Sequence, residues 1–317
     1  MEVLTLIFPV FAVIVTGYLF ARFELLPMSI ADALTQFVYY TAVPAILFVI
    51  IAQQDLKELS NWPFIAVYAG PALGLFILMF LGARFLGKLQ LGDATMLGMT
   101  AIASNTGIIA LPLLHQLFGE KAVVLAALAN IAAVGLLLIL IVVLELTNAE
   151  DGGGFASTMK HLENALMNPV VYSTVLGIAF AASPLTLPKV AVDYLQLMAS
   201  ALAPCALFAV GMTIKISDVM KLGGVIFLTS FVKLIVMPAL VLFAARAAGL
   251  DAIAVTAAVI AGGVPTAKTV FILSQKYHQY EEVAAEAVSV STALAVVTLM
   301  GWLILLSHLY PGSFAVQ

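Results

Sequence analysis

The chain has 317 residues, 63% hydrophobic and 9% charged, with a formal net charge of −4 and a mean hydropathy of +1.15. Soluble domains carry about 25% charged residues, so the composition excludes a water-soluble enzyme or a nucleic-acid-binding protein and predicts an integral membrane protein. The apolar runs are helix-length, not alternating segments of about ten residues, which excludes an outer-membrane barrel.

No basic segment precedes the first run, which opens Met1-Glu2-Val3, so residues 4–21 read as a retained first span and not as a cleaved signal. Spans two to five follow at 33–51, 63–83, 94–117 and 122–144. The polar stretch from Thr147 to Asn168, containing Asp151-Gly152-Gly153-Gly154, reads as a flexible linker. Spans six to ten fall at 169–187, 195–216, 222–245, 253–274 and 283–306. The expectation is an all-α membrane protein of ten helices, with a first repeat over 1–146, a linker over 147–168 and a second repeat over 169–317. The single cysteine, Cys205, lies inside an apolar run and forms no intrachain disulfide.

The two halves echo each other. Val43-Pro44-Ala45-Ile46-Leu47-Phe48 of span two parallels Ala203-Pro204-Cys205-Ala206-Leu207-Phe208 of span seven. Pro71-Ala72-Leu73 of span three parallels Pro238-Ala239-Leu240 of span eight, and Asp93-Ala94 before span four parallels Asp251-Ala252 before span nine. An odd number of spans per repeat makes the second copy enter the membrane from the opposite side, so the repeats are expected to be inverted. Loops after odd-numbered spans carry Arg22, Arg84, Lys88, Lys160, Lys215, Lys221 and Lys276; those after even-numbered spans carry Lys57, Lys121, Lys189 and Arg246. The richer side is expected to be cytoplasmic, which places both termini outside an inner (plasma) membrane.

Spans four and nine are interrupted. The first reads Ser104-Asn105-Thr106-Gly107 and runs on to Pro112; the second reads Gly262-Gly263-Val264-Pro265-Thr266-Ala267-Lys268. Hydrocarbon offers no water to a freed backbone N–H or C=O, so such breaks persist only against protein or a wet cavity. Matching interruptions in two halves point to a transporter's midplane site. A half-helix starting there presents free N–H groups and a positive dipole end, suited to a carboxylate. Asn105 and Thr106 are expected to supply donors, with Thr266 and Thr269 opposite, and Pro112 is expected to open the second half-helix of span four. Val264 and Pro265 belong to the second break, and Pro44 and Pro204 either kink their helices or help line the site.

Two basic residues fall within spans: Lys233 and Lys268. A charge at that depth usually faces a cavity or a partner, although a long lysine stem also permits snorkelling. No carboxylate stands in the middle of any span, so the missing negative charge is read as arriving with the substrate, a small organic anion. Glu145 and Glu286 near span ends, and His115 past the first break, are the remaining candidates for charge movement or coupling. A Walker-type phosphate motif and a His-Glu-x-x-His pair are absent, so neither an ATP-driven pump nor an intramembrane enzyme is favoured, and no cofactor or metal is expected. A membrane sensor or a channel for an organic anion on the same fold is the alternative to a carrier.

With these motifs in view, the chain resembles the auxin efflux carrier family over nearly its whole length. The likeness rests on Phe8-Pro9-Val10, Gln36-Phe37-Val38-Tyr39-Tyr40, Asn168-Pro169, Ser104-Asn105-Thr106-Gly107 with Leu111-Pro112-Leu113-Leu114, and Val264-Pro265. The resemblance implies a fold like that of sodium/proton antiporters and bile-acid symporters, with spans four and nine crossing at their breaks. It also implies an elevator-like transport domain (spans 3–5 and 8–10) moving against a scaffold (spans 1, 2, 6 and 7), a homodimer, and contact of Asn105 with a substrate carboxylate. Lys268 stands where the plant motif is apolar, which directs the reading from auxin toward a small dicarboxylate such as malonate.

Overall fold

The structure, a computed structural model, describes residues 2–54, 61–147, 167–219 and 223–314. In chain order its main helices are α1 Glu2–Arg22, α2 Ser29–Ile51, α3 Trp62–Leu86, α4 Leu91–Ile102, α5 (106–118) and α6 (120–147). They continue with α7 Pro169–Ala181, α8 Lys189–Met212, α9 Gly224–Ala247, α10 Ala252–Gly263, α11 Lys268–Tyr277 and α12 Glu281–Leu309. Six stretches, namely α2, α3, Thr106–Leu144, α8, α9 and α12, are long and apolar enough to cross a membrane. The protein is therefore an all-α membrane protein, and among the described residues the strand-like pairing is confined to one antiparallel bridge, Ser104 to Thr266.

Sequence explains where the helices start, stop and widen. Asn61, Asn168 and Asp251 cap α3, α7 and α10, each side-chain oxygen accepting from a first-turn N–H at 2.9–3.1 Å. Gly119 (φ 69°) makes the turn between α5 and α6, a conformation L side chains rarely adopt. The expected span over 169–187 instead ends at Ala181. Its 13 residues reach only about 20 Å, because Ser183-Pro184 and Pro188 end the helical path.

Three prolines leave a common signature. Pro44, Pro112 and Pro238 each follow a wide turn, at Val38–Ala42, Thr106–Ala110 and Val232–Val236. In each case the residue before the proline bonds five residues back: Val43 to Val38, Leu111 to Thr106 and Met237 to Val232. A proline ring clashes with the carbonyl four residues earlier, and widening the preceding turn relieves that clash. In α9 the carbonyl so freed, that of Leu234, accepts from Trp302 Nε1 at 2.9 Å. In α5 the wide turn comes first, so the half-helix opens at Thr106 and Pro112 lies within it, not at its start.

Helix pairs form two neighbourhoods. The second half of α8 packs along α1 and the second half of α2 along α7, while α3, α4, α6, α9 and α10 pack on one another. The α1–α8 contact is a backbone approach: a Cβ on Gly17 would stand 2.1 Å from the Phe208 carbonyl oxygen, and one on Gly211 would stand 2.0 Å from that of Ile14. Small residues permit such approach where hydrophobic driving force between helices is absent. Along the other pair, Phe48 and Phe180 meet edge to face at 5.9 Å. Threonines inside helices return their hydroxyls to the carbonyl four residues back, as Thr95, Thr100, Thr174 and Thr256 do, so they place no unbonded polar group in the interior.

Candidate functional site

Both interruptions come together, and the backbone groups of their extended segments are bonded across the gap. Asn105 N–H donates to the Pro265 carbonyl at 3.0 Å and Ala267 N–H to that of Ala103 at 3.0 Å, flanking the Ser104–Thr266 bridge. Thr266 Oγ1 donates to the Thr100 carbonyl at 3.0 Å, and Thr266 N–H donates to Ser291 Oγ of α12 at 3.1 Å. Thr106 N–H turns back to the Ser104 carbonyl at 2.9 Å. Two extended segments thus complete each other's backbone hydrogen bonding, as interrupted spans require. The bonds also fix geometry: they set the first residues of α5 and α11 side by side.

Those two starts carry what the site offers to a ligand. The first N–H groups of α5 beyond Thr106, on Gly107 and Ile108, and those of α11, on Lys268 and Thr269, have no earlier helical carbonyl to bond. Each start is the positive end of a half-helix dipole. A cavity of about 310 Å³ opens against them, lined by Asn105, Thr106, Gly107, Asn130 and Thr269 at one end and by Val134, Leu137, Leu138 and Ile141 along one wall. Tyr39, from the wide turn of α2, also borders it, and Asn168 marks its reach toward the start of α7. Among the described residues no Asp or Glu lines it. The Asn105 side chain caps no helix and makes no hydrogen bond to a described residue, so its amide is available to a ligand.

The other predicted residues fall around this centre. Lys268 is exposed at the first position of α11 and borders a second, smaller cavity of about 30 Å³, shared with Asn105, Thr266, Thr35, Thr213 and Thr292 and with Ile108, Ile109 and Val210. Pro265 borders a small apolar cavity with Phe11, Ile14 and Leu207, and Val264 is buried at the end of α10. Pro112 is buried within α5; Pro44 is half-buried and Pro204 exposed, and these three line none of the cavities at the breaks. His115 is half-buried near the far end of α5, and Glu286 is exposed in the second turn of α12. The Glu145 side chain lies outside the described residues.

Lys233 revises the charge reading. It is wholly buried, and its Nζ donates to Ser104 Oγ at 2.8 Å and to the Gly262 carbonyl. The Lys233 amine thus already serves the broken backbone, so the positive bias toward the cavity comes from the two half-helix starts, with Lys268 on the smaller cavity beside it. Asn130 was missed by sequence reasoning. Its Nδ2 donates to Thr106 Oγ1 at 2.7 Å, while its Oδ1 is buried without a partner among the described residues. A lone asparagine within the long apolar run of span five was the available signal.

Compared with known proteins, residues 2–303 match the family model described as "Membrane transport protein". The chain belongs to this transport family, that of the auxin efflux carriers. It is 32% identical to a "Putative malonate transporter" of Rhizobium meliloti (strain 1021), over 96% of each chain. It is 24% identical to "Uncharacterized transporter YfdV" of Escherichia coli (strain K12), covering 93% of this chain and 95% of that one. With "Uncharacterized transporter MJ1031" of Methanocaldococcus jannaschii it shares 22% identity over 93% of this chain and 97% of the other. The family member described here is a multi-pass membrane transporter and not an enzyme. Among the described residues there is no cluster of His, Cys, Asp or Glu able to hold a metal ion.

Proposed function

We propose that this transporter is a secondary carrier of a small organic anion, holding the substrate carboxylate at the meeting of its two broken spans and working by alternating access. One observation carries the reading: the starts of α5 (Gly107, Ile108) and α11 (Thr269) and the unbonded Asn105 amide border a single cavity that no carboxylate lines among the described residues. The polar end suits a carboxylate, and the aliphatic wall excludes water from the bound acid. A malonate-like dicarboxylate is the first candidate, given the similarity to the Rhizobium meliloti protein; an auxin-like acid is the second.

The finer architecture belongs to the same proposal. Ten spans form two inverted repeats, and spans four and nine, each made of two half-helices, cross at their breaks. The packing of α1 on α8 and of α2 on α7 supports a scaffold of spans 1, 2, 6 and 7, against which the remaining spans move as an elevator-type transport domain. The scaffold would also hold a homodimer. With the linker cytoplasmic and both termini outside the plasma membrane, a cavity reaching Ile141 and Asn168 is open to the inside. Reconstitution into proteoliposomes tests the carrier reading. Uptake of a labelled small carboxylate is expected to saturate and to be competed by unlabelled acid; binding without uptake, or uptake that does not saturate, contradicts it.

Lys268 acts at the rim. Because the side chain is exposed, solvent and salt screen its charge. Lys268→Ala is expected to weaken carboxylate binding by about threefold to tenfold, more at low ionic strength, and to leave neutral analogues such as the methyl ester unchanged. Competition measured at two salt concentrations checks this. Equal losses for acid and ester contradict the electrostatic role.

A further inference from the structure

Lys233 is the one charged side chain buried from solvent among the described residues, and nothing in the proposed transport cycle uses it. It sits on the wide turn Val232–Val236, which Pro238 imposes on α9. Its two partners are oxygens that accept: the carbonyl of Gly262, next to last in α10, and the hydroxyl of Ser104, just past the end of α4. Both partners therefore stand where a half-helix ends and its dipole is negative. One helical turn before Lys233, the buried hydroxyl of Ser230 has no hydrogen-bond partner among the described residues.

Among the described residues no anion faces this group. The α10 helix carries no ionisable residue. On the other elements packed around the wide turn, the charges are Asp93 in the first turn of α4, Arg246 in the last turn of α9, and Glu281, Glu282, Glu286 and His308 near the ends of α12. Neutral oxygens at two negative helix ends, with no carboxylate, make a site for a monovalent cation; a divalent ion would lack compensating charge.

We infer that the meeting point of the two broken spans is a monovalent cation site filled by the chain's own tethered ammonium, that of Lys233. This charge is a positioning element. Through Ser104 it holds the Ser104–Thr266 bridge and so the placement of Asn105, one residue on. The transport consequence rests on the carrier reading above; the stability consequence does not.

The test uses purified full-length protein, with melting temperature measured in ammonium, methylammonium, sodium and choline chloride at equal ionic strength. Wild type is expected to melt at one temperature in all four salts. Lys233→Ala is expected to melt lower in choline and to recover in ammonium or methylammonium, which enter the vacated space. Lys233→Met, which keeps the stem and removes the charge, is expected to melt lower in every salt. An alanine variant equally weak in all four salts, or a methionine variant as stable as wild type, overturns the inference. Should the alanine variant fold too poorly to melt, monodisperse protein recovered in ammonium but not in choline supports the inference, and recovery in neither overturns it. In proteoliposomes, Lys233→Met is expected to lower apparent affinity for the transported acid at least about tenfold. A wild type that moves no acid overturns the carrier reading and leaves the melting result to judge Lys233.

Discussion

Asn105→Ala is expected to reduce apparent affinity for the transported anion about 10- to 100-fold and to bring uptake at low substrate concentration close to background. A hydrogen bond to a charged group contributes about 1.5–3 kcal/mol, and each 1.4 kcal/mol is tenfold in affinity. The loss should be selective for function. Asn105 serves the fold through its backbone: its N–H donates to Pro265, and its carbonyl accepts from Ile109 at 3.2 Å and Ala110 at 3.4 Å. Alanine keeps those groups, and the inverse γ-turn at this residue (φ −79°, ψ 63°) is open to it. The substitution therefore removes an amide with no partner among the described residues, and the variant should melt within a degree or two of wild type. Asn105→Asp should lose more, because it sets a like charge against the substrate. Uptake by Asn105→Ala equal to wild type would remove this residue from the site.

The second large effect is on stability. Gly211→Ala places a Cβ where the Ile14 carbonyl oxygen stands only 2.0 Å away. The obstacle is backbone, so no side-chain rotation relieves it, and α1 and α8 must separate along their length. Overpacking of this kind typically destabilises by 1–3 kcal/mol. A value of about 3 kcal/mol or more is expected here, because the displaced atoms belong to two helices in extended contact. Gly17→Ala meets the Phe208 carbonyl at 2.1 Å and should behave alike. The double variant should cost much less than the sum, since one separation relieves both clashes. Additive losses, or a Gly211→Ala protein that unfolds like wild type, would mean that the two backbones are farther apart than this geometry has them.

Much of the fold was legible because hydrocarbon constrains so strongly. Length of apolar run pointed to membrane-length helices, and Gly and Pro in two corresponding runs marked the two breaks. What escaped was long-range. The partners of Lys233 lie 29 and 129 residues away, and nothing local distinguishes a lysine that caps a neighbouring half-helix from one that meets a ligand. Asn130 stands outside both interruptions, and its bond to Thr106 spans 24 residues. The wide turns before Pro44, Pro112 and Pro238 were readable in principle. Each is a mid-span proline, and proline requires some local departure from the α-helix. Reading them would have shifted the opening of α5 from Pro112 back to Thr106 and put Tyr39 at the cavity. The short α7 was missed for a different reason: hydrophobicity continued through Leu185 and Leu187 while the flanking prolines ended the helix.

The central claim is that the meeting of two broken helices forms a carboxylate site. It is tested most directly by thermal stability of purified wild type and Asn105→Ala across a panel of small acids, malonate and aromatic monocarboxylates included, each beside its neutral ester. A ligand at about 100 times its Kd stabilises by about 2.7 kcal/mol. The expected result is a rise of several degrees in wild type with at least one acid, absent with its ester and absent in Asn105→Ala. No stabilisation by any acid, or equal stabilisation of both proteins, would contradict the account.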